Sequence, residues 1–462
     1  MNRLLTTFIV IFTLSCSSSQ QQNQSGSTSL QVKGVSPSIL KVTQPGFLEN
    51  TQVLQPNSDN KFSLQPDEVA LLQVMLPVPF QLILLRQDSL IIDLSGDHPI
   101  FSGKGSRRNQ LLYDYVRKKN QLLTPFGDVF DWSRSMNEQA FLFHITSIET
   151  ELVSISDQIN RQNLDGGVWL DRWIQFDRSL LIANYIWTYF MSNMEGDFPL
   201  LREKVNSYLP LDVSISFFPQ LANSWSFKTS YLHLIQPLYL QEIYEVTDDL
   251  LIKSLTAFDK DPILKQVMLG TIVEKDLSSF DTSLYTRYEP FITETIQIPE
   301  LKLEIATLYQ DAMQQLTAKT GLTSNAYVGD YVVNDVLDKL IRENSGKVIY
   351  MDIWATWCKP CLEEFKLSKQ FKANFNLENI TYIYVGAQSK ENSWRAMINK
   401  FELEGIHLLI SEDQYDEFTH RFPIGYFPSY YILDQQGQLV TEQANYSPSH
   451  PETVKIINSL LD

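Results

Sequence analysis

The chain has 462 residues, of which 54 are acidic and 37 are basic, so its formal net charge at neutral pH is −17. This acidic balance, with no basic patch, argues against nucleic-acid binding and against electrostatic attachment to anionic lipid. The length predicts about three domains and allows a core to form without structural disulfides. The only cysteines are Cys16, Cys358 and Cys361.

The N-terminus has the pattern of an export signal. Met1-Asn2-Arg3 precedes Leu4–Leu14, a mostly apolar run of eleven residues. A helix of this length cannot span the roughly 30 Å hydrocarbon core of a bilayer, but it is typical of the apolar region of a signal peptide. We therefore predict a signal peptide over residues 1–15.

The end of this segment, Thr13-Leu14-Ser15-Cys16, resembles a bacterial lipobox, with Thr13 at the position where leucine is usual. The resemblance implies cleavage before Cys16 and attachment of lipid to Cys16. An ordinary cleavage site near Ser19 is the alternative. Residues 16–30 are rich in serine, glutamine and asparagine and are predicted to form a lipidated flexible tether.

Residues 31–105 have the pattern of short strands separated by turn-forming residues. The apolar, β-compatible runs are Gln73–Leu76, Gln81–Leu85 and Leu90–Leu94, and proline, aspartate and glycine interrupt them. We predict a small antiparallel β-domain here.

Helical periodicity dominates residues 106–322, which we predict to be a helical domain. Apolar residues recur at spacings of three and four in Leu301–Leu316 and in the series Phe141, Ile145, Ile148, Leu152 and Ile155. The aromatic-rich segment Trp169–Phe190 is interpreted as helix core. The alternative is an aromatic groove for a partner protein, which the sequence does not locate.

Cys358 and Cys361 form a Cys-X-X-Cys pair directly after the apolar run Val348–Trp354. A buried strand followed by a helix places Cys358 at the helix N-terminus, where unpaired N–H groups and the helix dipole stabilise a thiolate. Zinc binding is disfavoured because Cys16 is the only other cysteine and the six histidines are scattered. A purely structural disulfide is unusual at this spacing, so the pattern predicts a redox dithiol.

Two segments carry a family resemblance. VIYMDIWATWCKPCLEEF (residues 348–365) and GYFPSYYILDQQGQLV (Gly425–Val440) resemble the thioredoxin superfamily, in particular its TlpA/ResA-type membrane-anchored periplasmic branch. The resemblance implies a C-terminal thioredoxin fold over residues 323–462, preceded by the β-domain and the helical domain in a multidomain α/β protein. Residues 89–112 also resemble the end of the β-domain that often precedes the thioredoxin domain in such lipoproteins.

The resemblance also implies roles for residues near the dithiol. Pro428 is expected to be cis and to lie beside the dithiol, although base rates alone favour a trans bond. Trp357, Phe427 and Pro428 are expected to bind substrate. Two features depart from thioredoxin itself. The residues between the cysteines are Lys359-Pro360, and the residue before Pro428 is the large Phe427. The identity of the partner is therefore not transferred.

Asp352 lies six residues before Cys358 in an otherwise apolar strand. A buried aspartate occupies the same position in thioredoxin, and burial would raise its pKa and let it accept the proton of Cys361. The alternative is a solvent-exposed aspartate at a strand end. A peroxiredoxin-type peroxidase is disfavoured, because Ala355 and Met351 stand where that family has Thr or Ser and Pro.

Together these features predict a lipid-anchored, periplasm-facing thiol–disulfide oxidoreductase that uses Cys358, Cys361 and Asp352, with no metal and no cofactor. Net reduction of exported proteins that contain disulfides is expected, with a membrane electron donor for recycling. The outer membrane is favoured, because Ser17 rather than aspartate follows Cys16. The alternative is a binding or scaffold lipoprotein whose N-terminal domains recruit one client for the redox domain.

Overall fold

The computed structural model of the protein describes residues 28–33, 40–44, 50–54, 57, 59, 61–64, 69–74, 80–127, 129–160, 164–193, 196–208, 234–235, 237, 247–318, 326–440 and 446–461. The predicted signal peptide, Cys16 and most of the predicted tether lie outside the described residues. The end of the tether range, residues 28–30, belongs to a strand, because Leu30 and Val32 alternate with more polar residues and are buried.

The described residues of the β-rich region form two four-stranded sheets. Their strands are β1 (Thr28–Lys33), β2 (Leu40–Gln44), β3 (Asn50–Leu54), β4 (Lys61–Leu64), β5 (Val69–Val74), β6 (Phe80–Leu85), β7 (Ser89–Asp93) and β8 (Ile100–Lys104). One sheet has the order β4-β1-β7-β8, and the other has the order β3-β2-β5-β6.

The predicted antiparallel pairing needs one correction. The pairs β1–β4, β5–β6 and β7–β8 are antiparallel, but β1 and β7 run parallel. A parallel pair cannot be closed by a tight hairpin, and five of the described strands, β2 to β6, lie between β1 and β7 along the chain. Apolar runs separated by turn-forming residues predicted the strands, but such local patterns carry no information about this long-range pairing.

The next region is helical. Its described helices are α1 (Ser106–Leu123), α2 (Val129–Ser133), α3 (Glu138–Asn160), α4 (Gly167–Ser192), α5 (Pro199–Asn206), α6 (Asp248–Thr256), α7 (Pro262–Ser278), α8 (Ser283–Thr295) and α9 (Pro299–Thr317). The predicted periodic segments fall on α3 and α9, as expected. On α4 the aromatic side chains that lie in the core are Trp169, Trp173, Phe176, Tyr185, Tyr189 and Phe190, which confirms the interpretation as helix core.

The C-terminal region is a sheet with helices on both faces. Its strands are β9 (Ala326–Tyr327), β10 (Val348–Trp354), β11 (Ile380–Ala387), β12 (Ile406–Ile410) and β13 (Ser429–Leu433). Its helices are α10 (Val333–Glu343), α11 (Lys359–Phe365), α12 (Ser368–Lys372), α13 (Glu391–Lys400), α14 (Glu412–Arg421) and α15 (Pro451–Leu461). The strand order is β13-β10-β11-β12-β9, with β13 antiparallel to β10 and the other described pairs parallel.

Two hydrophobic clusters hold this sheet. One includes α10 and α14 through Leu337 and Phe418, and the other includes α11 through Cys361 and Phe365. Every residue of β10 is buried, because helices cover both sides of this central strand. The strand therefore provides a rigid base for the motif that follows it.

Contacts between Cα atoms divide the chain into two compact units. One contains residues 53–114, and the other contains residues 167–462, so α4–α9 and the C-terminal sheet belong to the same unit. Among the helices of the described ranges, none combines the length and the apolar character needed to cross a membrane. The five-part division predicted from the sequence stays a prediction.

Candidate active site

The Cys-X-X-Cys motif lies where β10 passes into α11. Cys358 is the N-cap residue of α11 and Pro360 lies in the first turn, where its missing N–H needs no partner. The backbone N–H of Cys361 donates to Cys358 Sγ at 3.1 Å. The local pattern of a buried strand, a short turn and a helix therefore places Cys358 Sγ at the positive end of the helix dipole.

The two cysteines are joined by a disulfide, with their Cα atoms 5.3 Å apart. Both are buried, at 3% exposure for Cys358 and 0% for Cys361. Only Cys358 of the pair lines an open groove of about 480 Å³, whose other walls include Tyr415, Tyr426 and Phe427. We call this space the dithiol groove. An incoming disulfide in the groove meets Cys358 rather than Cys361.

The residues predicted to bind substrate lie at or beside the dithiol groove. Trp357 is 48% exposed, its ring contacts the Phe427 ring edge-on at 5.5 Å, and both line the groove. Trp357 Nε1 donates to the carbonyl of Gln388 at 3.0 Å, which fixes the indole. The Phe427–Pro428 bond is cis, as the resemblance implied, but Pro428 is half-buried and outside the lining of the groove.

Asp352 is buried, at 2% exposure, on the sheet face that packs against the cluster containing both cysteines. Across the sheet it lies opposite Tyr384 of β11 and Tyr430 of β13. Its Oδ1 has no hydrogen-bond partner among the described residues. Burial raises its pKa well above the ordinary value, the Glu364 carboxylate raises it further, and Lys372 opposes the shift. The predicted burial is confirmed, whereas the role as a base stays a proposal.

A comparison with known protein families identifies the domain that contains the two cysteines. A family model described as "Thioredoxin-like" matches residues 346–439, which contain β10, the dithiol, α11 and the cis-proline. These residues form a thioredoxin-like domain.

Individual relatives are similar to about a quarter of the chain. The thiol-disulfide oxidoreductase ResA of Bacillus thuringiensis (strain Al Hakam) is 22% identical over 115 residues, which are 24% of this chain and 65% of that protein. ResA of Geobacillus kaustophilus (strain HTA426) is 22% identical over 125 residues, 27% of this chain and 70% of that protein. A crystal structure of the thioredoxin domain of a thiol-disulfide oxidoreductase from Bacteroides vulgatus has a TM-score of 0.24 and 17% identity, covering 26% of this chain and 84% of that one.

The thioredoxin-like domain also contains two charged residues near Asp352 that sequence reasoning missed. Glu364 is half-buried and accepts hydrogen bonds from the backbone N–H and hydroxyl of Ser449 at 2.9 and 2.6 Å. Because Ser449 lies 85 residues away in the chain, the residues next to Glu364 do not predict this contact.

Lys372 is the second missed residue. Its Nζ donates to the carbonyl of Glu404 at 2.5 Å and lies 5.4 Å from the centre of the Tyr384 ring. Burial lowers its pKa to about 8, while Glu404 and Asp352 oppose the shift. The neighbouring sequence does not predict the burial of Lys372, since a lysine on a short helix is normally exposed.

Proposed function

We propose that the protein is a membrane-anchored thiol–disulfide oxidoreductase of the cell envelope that reduces disulfides in exported proteins. The observation that carries this proposal is the position of Cys358, at the N-terminus of α11 and in the wall of the dithiol groove. Backbone N–H groups and the helix dipole favour a thiolate there, and the thiolate is the nucleophile in disulfide exchange. The similarity to proteins named thiol-disulfide oxidoreductase ResA supports the same activity.

The reaction begins with the reduced dithiol. The Cys358 thiolate attacks one sulfur of a substrate disulfide, the substrate S–S bond breaks, and one substrate thiolate leaves. Cys361 then gives up its proton and attacks Cys358 Sγ in the mixed disulfide. This step releases the second substrate thiolate and forms the Cys358–Cys361 bond present in the structure. Two electrons and two protons pass from the dithiol to the substrate.

Asp352 is proposed to accept the proton of Cys361. A carboxylate with an ordinary pKa is a poor base for a thiol, because the two pKa values differ by several units. Burial of Asp352 raises its pKa and so reduces this mismatch. The raised pKa of Asp352 favours net reduction, because in a reductant Cys361 must be deprotonated before it attacks the mixed disulfide.

The proposed substrates are polypeptides rather than small disulfides. The dithiol groove is lined by the aromatic side chains of Trp357, Tyr415, Tyr426 and Phe427, which supply apolar area for the chain around a substrate cysteine. Net reduction consumes the dithiol, so a membrane electron donor that supplies two electrons per turnover is part of the proposal.

A single-turnover assay tests the activity. Pre-reduced, desalted protein mixed with excess insulin is expected to lose two thiols per molecule while insulin gains two, as measured by thiol titration and mass spectrometry. If the insulin disulfides stay intact and the protein stays reduced, the proposed activity is wrong.

The anchor is proposed to be a lipid on Cys16, with the outer membrane favoured. Wild-type protein is then expected in the membrane fraction of cells, and Cys16→Ala is expected to shift most of it to the soluble or unprocessed fraction. Fractionation followed by immunoblotting measures this. Wild-type protein found wholly in the soluble periplasmic fraction contradicts the anchor, while the insulin assay is unaffected by that outcome.

A further inference from the structure

We propose that helices α7 and α9 form a second wall of the substrate site and bind the polypeptide on one side of the substrate disulfide. This inference rests on the proposed function, since it concerns what the dithiol acts on. The observation behind it is a cleft of about 400 Å³ between these helices and the active-site turn. We call this space the helical cleft.

The helical cleft adjoins the dithiol groove. Ser278 of α7 and Leu308 of α9 line one side of the cleft, and Thr356 and Leu362 line the other. Trp357 and Lys359 line both the cleft and the dithiol groove. A polypeptide whose cysteine reaches Cys358 therefore meets a continuous surface that runs from Phe427 past Trp357 to α9.

The wall is held firmly against the thioredoxin-like domain. Lys400 of α13 pairs with Asp311 of α9, with Nζ 2.6 Å from Oδ2, and its Nζ lies 4.9 Å from the centre of the Phe280 ring. Phe280 and Ala312 are buried in the hydrophobic cluster that also contains both active-site cysteines. Packing of this kind fixes the position of α7 and α9 relative to the dithiol.

One loop contacts both the end of α7 and the segment that leads into the Cys-X-X-Cys motif. Lys390 forms an ion pair with Asp281, which follows α7 in the chain. The neighbouring residue Ser389 accepts a hydrogen bond from the backbone N–H of Thr356 at 2.9 Å. The same loop therefore binds the helical region through Lys390 and supports the residue two positions before Cys358 through Ser389.

The chemistry of the helical cleft fits an extended polypeptide. Its lining combines apolar surface at Leu308, Leu362 and Trp357 with charged side chains of both signs, including Glu363 and Lys359. A cleft built for a small anion would instead concentrate basic groups. Continuity with the dithiol groove identifies the occupant as the chain that flanks the reacting cysteine.

The test blocks the helical cleft and compares two substrates. Leu308→Arg and Ser278→Arg introduce a long side chain from each helix, and Leu303→Arg is the matched control, because Leu303 lies on α9 at 69% exposure and outside the lining of the cleft. Second-order rate constants for oxidation of the pre-reduced full-length protein are measured with insulin and with 2-hydroxyethyl disulfide. The ratio of the insulin rate to the small-disulfide rate is expected to fall at least tenfold in both blocking variants and to stay within twofold of wild type in Leu303→Arg.

The outcomes separate the two proposals. A ratio that stays at the wild-type value in the folded blocking variants, or that falls equally in Leu303→Arg, overturns the second wall while leaving the redox activity in place. Wild-type protein that reduces neither substrate overturns the proposed function itself. Circular dichroism establishes folding, and if Leu308→Arg does not fold, the ratio for Ser278→Arg decides the matter.

Discussion

Cys358→Ser is expected to lower insulin reduction by at least about a thousandfold, because a serine hydroxyl is not ionised near neutral pH and cannot replace the thiolate. Cys361→Ser is expected to keep the first attack and lose the resolving thiol. Substrate proteins then accumulate as mixed disulfides on Cys358. The basis for this asymmetry is that Cys358, and not Cys361, lines the dithiol groove. Non-reducing electrophoresis and peptide mapping by mass spectrometry measure both effects.

Cys16→Ala is the matched control, since it removes a cysteine that lies outside the dithiol; assayed in detergent, it is expected to match the wild-type rate within twofold. Adducts on Cys361 in the Cys358→Ser variant would reverse the assignment of roles. Full activity in both active-site variants would exclude the dithiol mechanism. In cells, the adducts of Cys361→Ser also identify the natural substrates.

Asp352→Asn is expected to slow resolution of the mixed disulfide on the order of 100-fold at neutral pH while leaving the initial attack by Cys358 within about threefold of wild type. Asparagine keeps the shape of the side chain but cannot accept the Cys361 proton. Acid-quenched single-turnover reactions with insulin, analysed by mass spectrometry, follow the rise and decay of the mixed disulfide. Unchanged decay shows that Asp352 is not the base.

The same substitution is expected to stabilise the oxidised protein above the unfolded pKa of Asp352. Because burial raises the folded-state pKa, the folded protein holds the proton more tightly than the unfolded chain, so wild-type stability falls as the pH rises above about 3.8 towards the folded pKa. Asparagine does not ionise, so the variant does not lose stability in this way. The gain in the free energy of unfolding for Asp352→Asn is therefore expected to be larger at pH 8 than below pH 3.8.

Urea denaturation of the disulfide form at both pH values measures this difference. Asp416→Asn is the control, because it removes the same charge from an exposed position of the same domain and is expected to change the stability by less than about 0.5 kcal/mol. A gain for Asp352→Asn that is equal at both pH values contradicts the titration argument. Loss of stability at pH 8 contradicts the proposal that ionised Asp352 destabilises the fold.

The residues along the chain were enough to predict the local structure around the two cysteines. The apolar run Val348–Trp354 followed by Cys358, Pro360 and Cys361 predicted a buried strand, a helix N-terminus and a dithiol, and the structure has all of these. These features are local, because strand burial, the position of proline and the helix dipole depend on residues within a few positions of each other. The cis bond before Pro428 came from the family resemblance, since base rates favour trans.

The helical periodicity of α3 and α9 and the strand pattern of β6 and β7 were likewise determined by the sequence alone, because side-chain spacing reports which face of an element is apolar. Spacing does not report which elements meet. Only the tertiary structure decided that β1 and β7 pair in parallel and that Lys372 and Glu364 lie near Asp352. It also decided that Leu308 of α9 and Trp357 line one cleft, since each of these juxtapositions joins residues far apart in the chain and depends on how the whole core packs.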